Sequence, residues 1–302
     1  MGGLLAVSYA LTASAAPAPT LAPEPGSGTA IIGGEPAGDL EFPTVVAVVV
    51  NGTALCTGTV VAANLVLTAG HCLADLPDTV PVAVFYGNEI DAMQPVGVTS
   101  FGAHPDFCAT CDEDIYDYGY VVTASEFVAP YTPPIVTQQE WDDTMSVGTE
   151  ITLVGFGDDP NAATDSIGVK RVVTTTIDRF SAEGLEFFAG GDDRDSCQGD
   201  SGGPAFVIDA DGGLRLAGIT SRGSSPCGDG GYYGAPYPAL CWVREQTGID
   251  FFDGGDCAAI DTSPPPTDSG GCDCRSGEGG DNPWTGLWAM GLVLLAAFRR
   301  VD

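Results

Sequence analysis

Asp195-Ser196-Cys197-Gln198-Gly199-Asp200-Ser201-Gly202-Gly203-Pro204 is the stretch on which the reading of this chain turns. A serine hydroxyl is a weak nucleophile. It needs a base to take its proton, a group that orients the base, and donors for the oxyanion that forms on attack. Glycines on both sides of Ser201 let the backbone turn so that the Gly199 and Ser201 amides converge on one point. Candidate bases are few, because the chain has only two histidines. His71 closes an apolar run in Leu67-Thr68-Ala69-Gly70-His71-Cys72, and His104 precedes Pro105 in a polar loop. A serine in a glycine-rich turn is ordinarily just a turn. That reading leaves the A-G-H-C block unexplained, and also the Ile31-Ile32-Gly33-Gly34 that follows a flexible leader.

Between residues 31 and 250 the chain reads as short strands separated by Gly- and Asp-rich turns. Val45–Val50 leads into Asn51-Gly52, a hairpin signal. Further runs are Cys56–Val61, Leu65–Ala69, Val82–Tyr86, Tyr118–Thr123, Thr149–Gly155, Arg171–Ile177, Pro204–Ile208 and Leu214–Ser221. Helical periodicity first appears over Pro238–Thr247, so the pattern is all-β. The charge is lopsided: 10 Lys+Arg face 41 Asp+Glu, a net of −31, and the first basic residue is Lys170. Such a chain lacks the basic face that offsets phosphates, which excludes a nucleic-acid binder. With 44% hydrophobic residues it still has the material for a core.

Together the block around Ser201, the A-G-H-C block and the Ile-Ile-Gly-Gly resemble the trypsin/chymotrypsin family of serine proteases over about residues 31–250. The resemblance implies two packed six-stranded Greek-key β-barrels with a short C-terminal helix. It implies Ser201 as nucleophile, His71 as general acid–base and the Gly199 and Ser201 amides as oxyanion hole, with no cofactor and no metal. The third catalytic member is an Asp ahead of an apolar strand, and Asp114 and Asp117 compete. Asp117 is favoured, because Asp117-Tyr118-Gly119-Tyr120-Val121-Val122 sets a small residue and an apolar run behind it, whereas Asp114 would carry a second carboxylate into the strand. Asp112 and Glu113 read as solvated loop charges, with a cation site as the other possibility.

The same resemblance makes Asp195, six residues before the nucleophile, the base of the specificity pocket. Ser221, Gly223 and Gly231 then form its walls, and Arg or Lys would be the residue cleaved after. Preference for a non-basic residue, or a catalytically inactive binding module, are the competing readings. Activation would follow a cut before Ile31, whose new amino group pairs with Asp200; since Ala30 precedes it, a separate protease must make that cut. Cys56–Cys72 and Cys197–Cys227 match family disulfides, while Phe188 stands where another bridge loses a cysteine. Cys108–Cys111 reads as a local bridge in an inserted loop, with a redox or metal role as the other possibility, and Cys241–Cys257 as a further pair. Arg222 replaces a usual Trp beside the substrate backbone.

The ends speak for export. Residues 1–15 read as a signal peptide, ending in Ala13-Ser14-Ala15, and 16–30 as a pro-segment rich in Ala and Pro. Ten cysteines fit an oxidising compartment. Residues 251–283 have linker composition and contain Cys272 and Cys274; 284–302 comprise a short apolar stretch and Arg299-Arg300. The fifteen uncharged residues Trp284–Phe298 would span about 22 Å as a helix, short of a ~30 Å hydrocarbon core. This tail resembles the C-terminal sorting tags of myxobacterial-type surface proteins. That resemblance implies a tail-processing protease, attachment to the membrane through the tail, and a cell-surface or secreted location.

Overall fold

The computed structural model describes residues 31–39, 41–128, 130–158, 167–257 and 260–262. The expected signal peptide, pro-segment, sorting tail and its two cysteines lie outside the described residues. Among the described residues, no helix is long and apolar enough to cross a membrane.

After a two-residue strand β1 (Glu35–Pro36) come β2 (Val45–Val50), β3 (Ala54–Ala62), β4 (Leu65–Thr68), β5 (Val82–Phe85), β6 (Pro95–Ala103) and β7 (Gly119–Thr123). These six strands, β2 to β7, close into an antiparallel barrel in the order β2-β3-β4-β7-β6-β5. The Asn51-Gly52 signal is a β-turn: both residues have positive φ, +52° and +68°, and the Thr53 amide donates to the Val50 carbonyl. Helix α1 (Gln138–Thr144) follows, its start held by a capping box between Thr137 and Glu140.

A second set of strands is β8 (Glu150–Gly155), β9 (Arg171–Phe180), β10 (Glu186–Ala189), β11 (Pro204–Ile208), β12 (Leu214–Gly223) and β13 (Gly231–Gly234). They close as β8-β9-β10-β13-β12-β11, with β1 added to the outer side of β9. Both barrels thus run through the same 1-2-3-6-5-4 order, a duplication that no repeat in the sequence betrays. The two six-stranded barrels and the terminal helix α2 (Tyr237–Thr247) are the expected architecture. Helix α2 ends at Gly248 in the left-handed region, and its Trp242 packs edge-on against His104 and Tyr120 of the first barrel.

Besides the two-residue β1, three strands were not readable beforehand. β6 is mostly exposed or half-buried and carries Pro, two Gly and Ser; β10 and β13 are four residues each, and β10 opens on a buried glutamate. All four disulfides expected from sequence form: Cys56–Cys72, Cys108–Cys111, Cys197–Cys227 and Cys241–Cys257.

Valines of β2 fill the first barrel, and Phe206 of β11 stacks on Phe42 with ring centroids 6.1 Å apart. Phe206 is 1% exposed, so truncation leaves a cavity the closed barrel cannot collapse. Phe206→Ala is expected to cost about 3–5 kcal/mol in denaturant unfolding. A loss under about 1 kcal/mol would mean that this part of the barrel repacks freely.

Candidate active site

Strands β4 and β7 are hydrogen-bonded neighbours, with Thr68 opposite Gly119. The turn that leaves β4 and the loop that enters β7 therefore meet at one end of the first barrel. The first carries His71, in a single helical turn over Gly70–Cys72, and the second carries Asp117. The Asp117 carboxylate is 2% exposed and accepts three hydrogen bonds. His71 N donates to Oδ1 at 2.7 Å, His71 Nδ1 to Oδ2 at 2.7 Å, and Ser221 Oγ, from β12 of the other barrel, to Oδ2 at 2.6 Å. A carboxylate against Nδ1 fixes the proton there and leaves Nε2 as the free base, on a ring 35% exposed.

Asp114, the competitor for this role, lies elsewhere. It receives Ser181 Oγ at 2.5 Å and Glu183 N at 3.3 Å. Asp112 and Glu113 are exposed, as expected of loop charges.

Ser201 sits between β10 and β11 and is tied across the barrel interface by a residue the sequence did not single out. Thr57 of β3 donates its amide to the Ser201 carbonyl at 2.8 Å and its hydroxyl to the Gly199 carbonyl at 2.9 Å. Gly199 has φ +97°, a conformation open to glycine, and this turns the segment. Among the described residues, no protein acceptor takes the Gly199 or Ser201 amide. Ser201, His71 and Asp117 line one cavity of about 360 Å³, together with Ser196, Ser221 and Gly223.

Asp195 lies behind Ser196 and is fully buried. Ser196 N donates to its Oδ1 at 2.7 Å, and Gly228 N and Gly230 N to its Oδ2 at 3.1 and 3.0 Å. Burial raises its pKa, against the pull of these amides. Gly231 is close by: a Cβ there would stand 3.5 Å from Asp195 Oδ1 and 3.0 Å from the Arg222 carbonyl. Gly223 pairs with Gly231 between β12 and β13. Ile31 is 1% exposed, and the Ile32 carbonyl accepts the Asp195 amide at 3.2 Å.

Asp200 points inward. Its carboxylate accepts Gly157 N and Cys197 N, both at 2.8 Å, and fits only because a Cβ at Gly155 or Gly157 would collide with it. Burial pushes its pKa up to about 7. Cys56, His71 and Cys72 lie within reach of a common ion, but both sulfurs are committed to a disulfide.

The family model for trypsin matches residues 31–240. The chain belongs to the trypsin family. It is 31% identical over 242 residues to "Serine protease 56" of Homo sapiens, covering 72% of this chain but 38% of that protein. It is 28% identical over 223 residues to "Trypsin 5G1" of Aedes aegypti, covering 66% of this chain and 78% of the relative. "Serine proteinase stubble" of Drosophila melanogaster matches at 29% over 235 residues, 68% of this chain and 29% of that protein. The chain thus spans under two-fifths of the length of the human relative.

Asp200 makes stability depend on pH while Ala30 remains joined to Ile31. Its folded pKa exceeds the ordinary 3.8, so the folded state holds the proton longer than the unfolded one. Stability then falls as pH rises from about 4 to about 7 and levels off above. Relative to Asp200→Asn, the uncut chain should lose up to about 4 kcal/mol over that window in denaturant unfolding. Parallel curves for the two proteins would show that Asp200 ionises freely in the fold.

Proposed function

We propose that the chain is an exported serine endopeptidase that cleaves after Arg or Lys through an acyl-enzyme. Ser201 attacks the scissile carbonyl, and His71 Nε2 takes its proton and returns it to the leaving amine. Asp117 holds the imidazole in one tautomer and stabilises the imidazolium that forms. The Gly199 and Ser201 amides receive the oxyanion. The carrying observation is the 2.7 Å contact between His71 Nδ1 and a buried Asp117 on the wall of the cavity that Ser201 also lines.

Asp195 supports the basic preference. A buried carboxylate neutralised only by amide dipoles gains most from a full positive charge, which a substrate Arg or Lys brings. Ser221, Gly223 and Gly231 are the pocket walls. With 32 acids and 7 bases between residues 31 and 250, the surface would also draw cationic peptides toward the cleft.

Asp200 supports activation by a cut at Ile31. The α-amino group released there would bring a full positive charge to this buried carboxylate, and Ile32 is already paired with Asp195. Binding at one end thereby settles the pocket at the other. Ala30 does not suit the enzyme's own preference, so a separate protease activates it. The four disulfides fit the secreted or cell-surface location read from the two ends, with a tail-processing protease and the membrane as further partners.

A serine-directed phosphonate should label Ser201 in chain processed to begin at Ile31, and far more slowly in uncut chain. No adduct in processed chain would leave a protease-shaped binding module. On an Arg peptide amide, Asp195→Ser should lower kcat/KM by about 10³-fold or more, and the parent value should fall as salt rises. Unchanged activity in that variant would assign a non-basic pocket.

A further inference from the structure

Glu186, at the start of β10, is 1% exposed, and its carboxylate is saturated. Arg222 Nη1 donates to Oε1 at 2.8 Å and Nη2 to Oε2 at 2.9 Å, a fork meeting a fork. Asp114 N donates to Oε2 at 2.9 Å and Ile115 N to Oε1 at 3.3 Å, so all four acceptor positions are used. Arg222 Nη2 also donates to the Asp112 carbonyl at 2.7 Å, and its guanidinium lies over the Tyr232 ring at 4.2 Å. One ion pair of the second barrel thus grips the backbone of a first-barrel loop at three residues, Asp112, Asp114 and Ile115, before Asp117 is reached. Ser181 and Glu183 add a second grip, on the Asp114 side chain.

The gripped backbone is one that a free loop would abandon. Asp114 and Tyr116 have φ of +54° and +53°, the left-handed region that non-glycine residues enter at a cost of about 1–3 kcal/mol each. Between them Ile115 is buried at the cavity wall. The next residue is Asp117, whose oxygens must meet two nitrogens of His71 and Ser221 Oγ. Ser221 is itself the β12 neighbour of Arg222. The aim of Asp117 is therefore set from both sides by the same clasp.

We infer that Glu186 and Arg222 are positioning residues for the His71–Asp117 couple, acting through the Asp112–Tyr116 backbone. Neither touches the reacting atoms. The inference rests on the function proposed above, and misplacing a catalytic group by about 1 Å can cost on the order of 10²-fold in rate.

The test uses processed chain with folded sites counted by exhaustive phosphonate labelling. Glu186→Gln removes one charge of the clasp, and Arg222→Lys keeps the charge but loses the fork. On a single-residue Arg amide, which reaches no upstream subsite, Glu186→Gln should lower kcat per labelled site by about tenfold or more with KM within about twofold. Arg222→Lys should fall between it and the parent. A residue that merely supports the fold would lower melting temperature and leave kcat per labelled site unchanged, and that result overturns the inference. Ser181→Ala, which removes the hydroxyl that meets the Asp114 carboxylate and the Glu186 backbone but keeps the Glu186–Arg222 ion pair, is the milder variant should Glu186→Gln not fold. It should lower kcat by about threefold, and no change in it is equally contrary. An unlabelled parent would sink the proposed function itself, a different outcome from a labelled parent with indifferent variants.

Discussion

The site hangs on one buried carboxylate. Asp117 is supplied by the first barrel, yet one of its three donors, Ser221 Oγ, comes from the second. The carboxylate is buried and its oxygens are held by three donors, so it can fix the orientation of an imidazole. The cleft exists because two barrels of the same strand order meet there. Thr57 then fastens the Gly199–Ser201 segment of one to a strand of the other. Moving one barrel against the other would part Ser201 from His71 and Asp117 and break the Ser221–Asp117 bond.

Four acids around this cleft are 2% exposed or less, and each is satisfied differently. Asp117 has a histidine and a hydroxyl; Glu186 has an arginine and two amides. Asp195 accepts from three backbone amides and Asp200 from two, and the positive charge of Arg171 also acts on Asp200. The two pairings made with cations or imidazole hold geometry. Asp195 and Asp200 take their hydrogen bonds from amides, and the proposed bringers of a full charge to them are a substrate side chain and a new chain terminus. In a chain of such acidity, burial and partner matter more than number.

Much of this was legible in advance, because family motifs are local. Ser201 with its glycines and His71 with Cys72 each sit in one short block. Asp117 was separable from Asp114 by asking which carboxylate an apolar strand could tolerate. Two Cys pairs, Cys56–Cys72 and Cys197–Cys227, followed from the same map; Cys108–Cys111 and Cys241–Cys257 had no such support. What stayed hidden depends on distant residues meeting. Glu186 and Arg222 are 36 positions apart, and in sequence one is an acid among many and the other only a missing Trp. Thr57 carries no signal beyond its place next to Cys56. β6 escaped notice because half-exposed Pro, Gly and Ser residues do not read as a strand, although pairing with β5 and β7 makes it one.

The central claim is that Asp117, and no other acid of its loop, orients His71. The direct measurement is kcat for Asp117→Asn and Asp114→Asn in chain processed to begin at Ile31, on one Arg amide near neutral pH. Asp117→Asn should lose on the order of 10⁴-fold, since an amide cannot hold the imidazole in the required tautomer. Asp114→Asn should lose no more than about tenfold. Loss of activity in the Asp114 variant with near-parent turnover in the Asp117 variant would contradict the account.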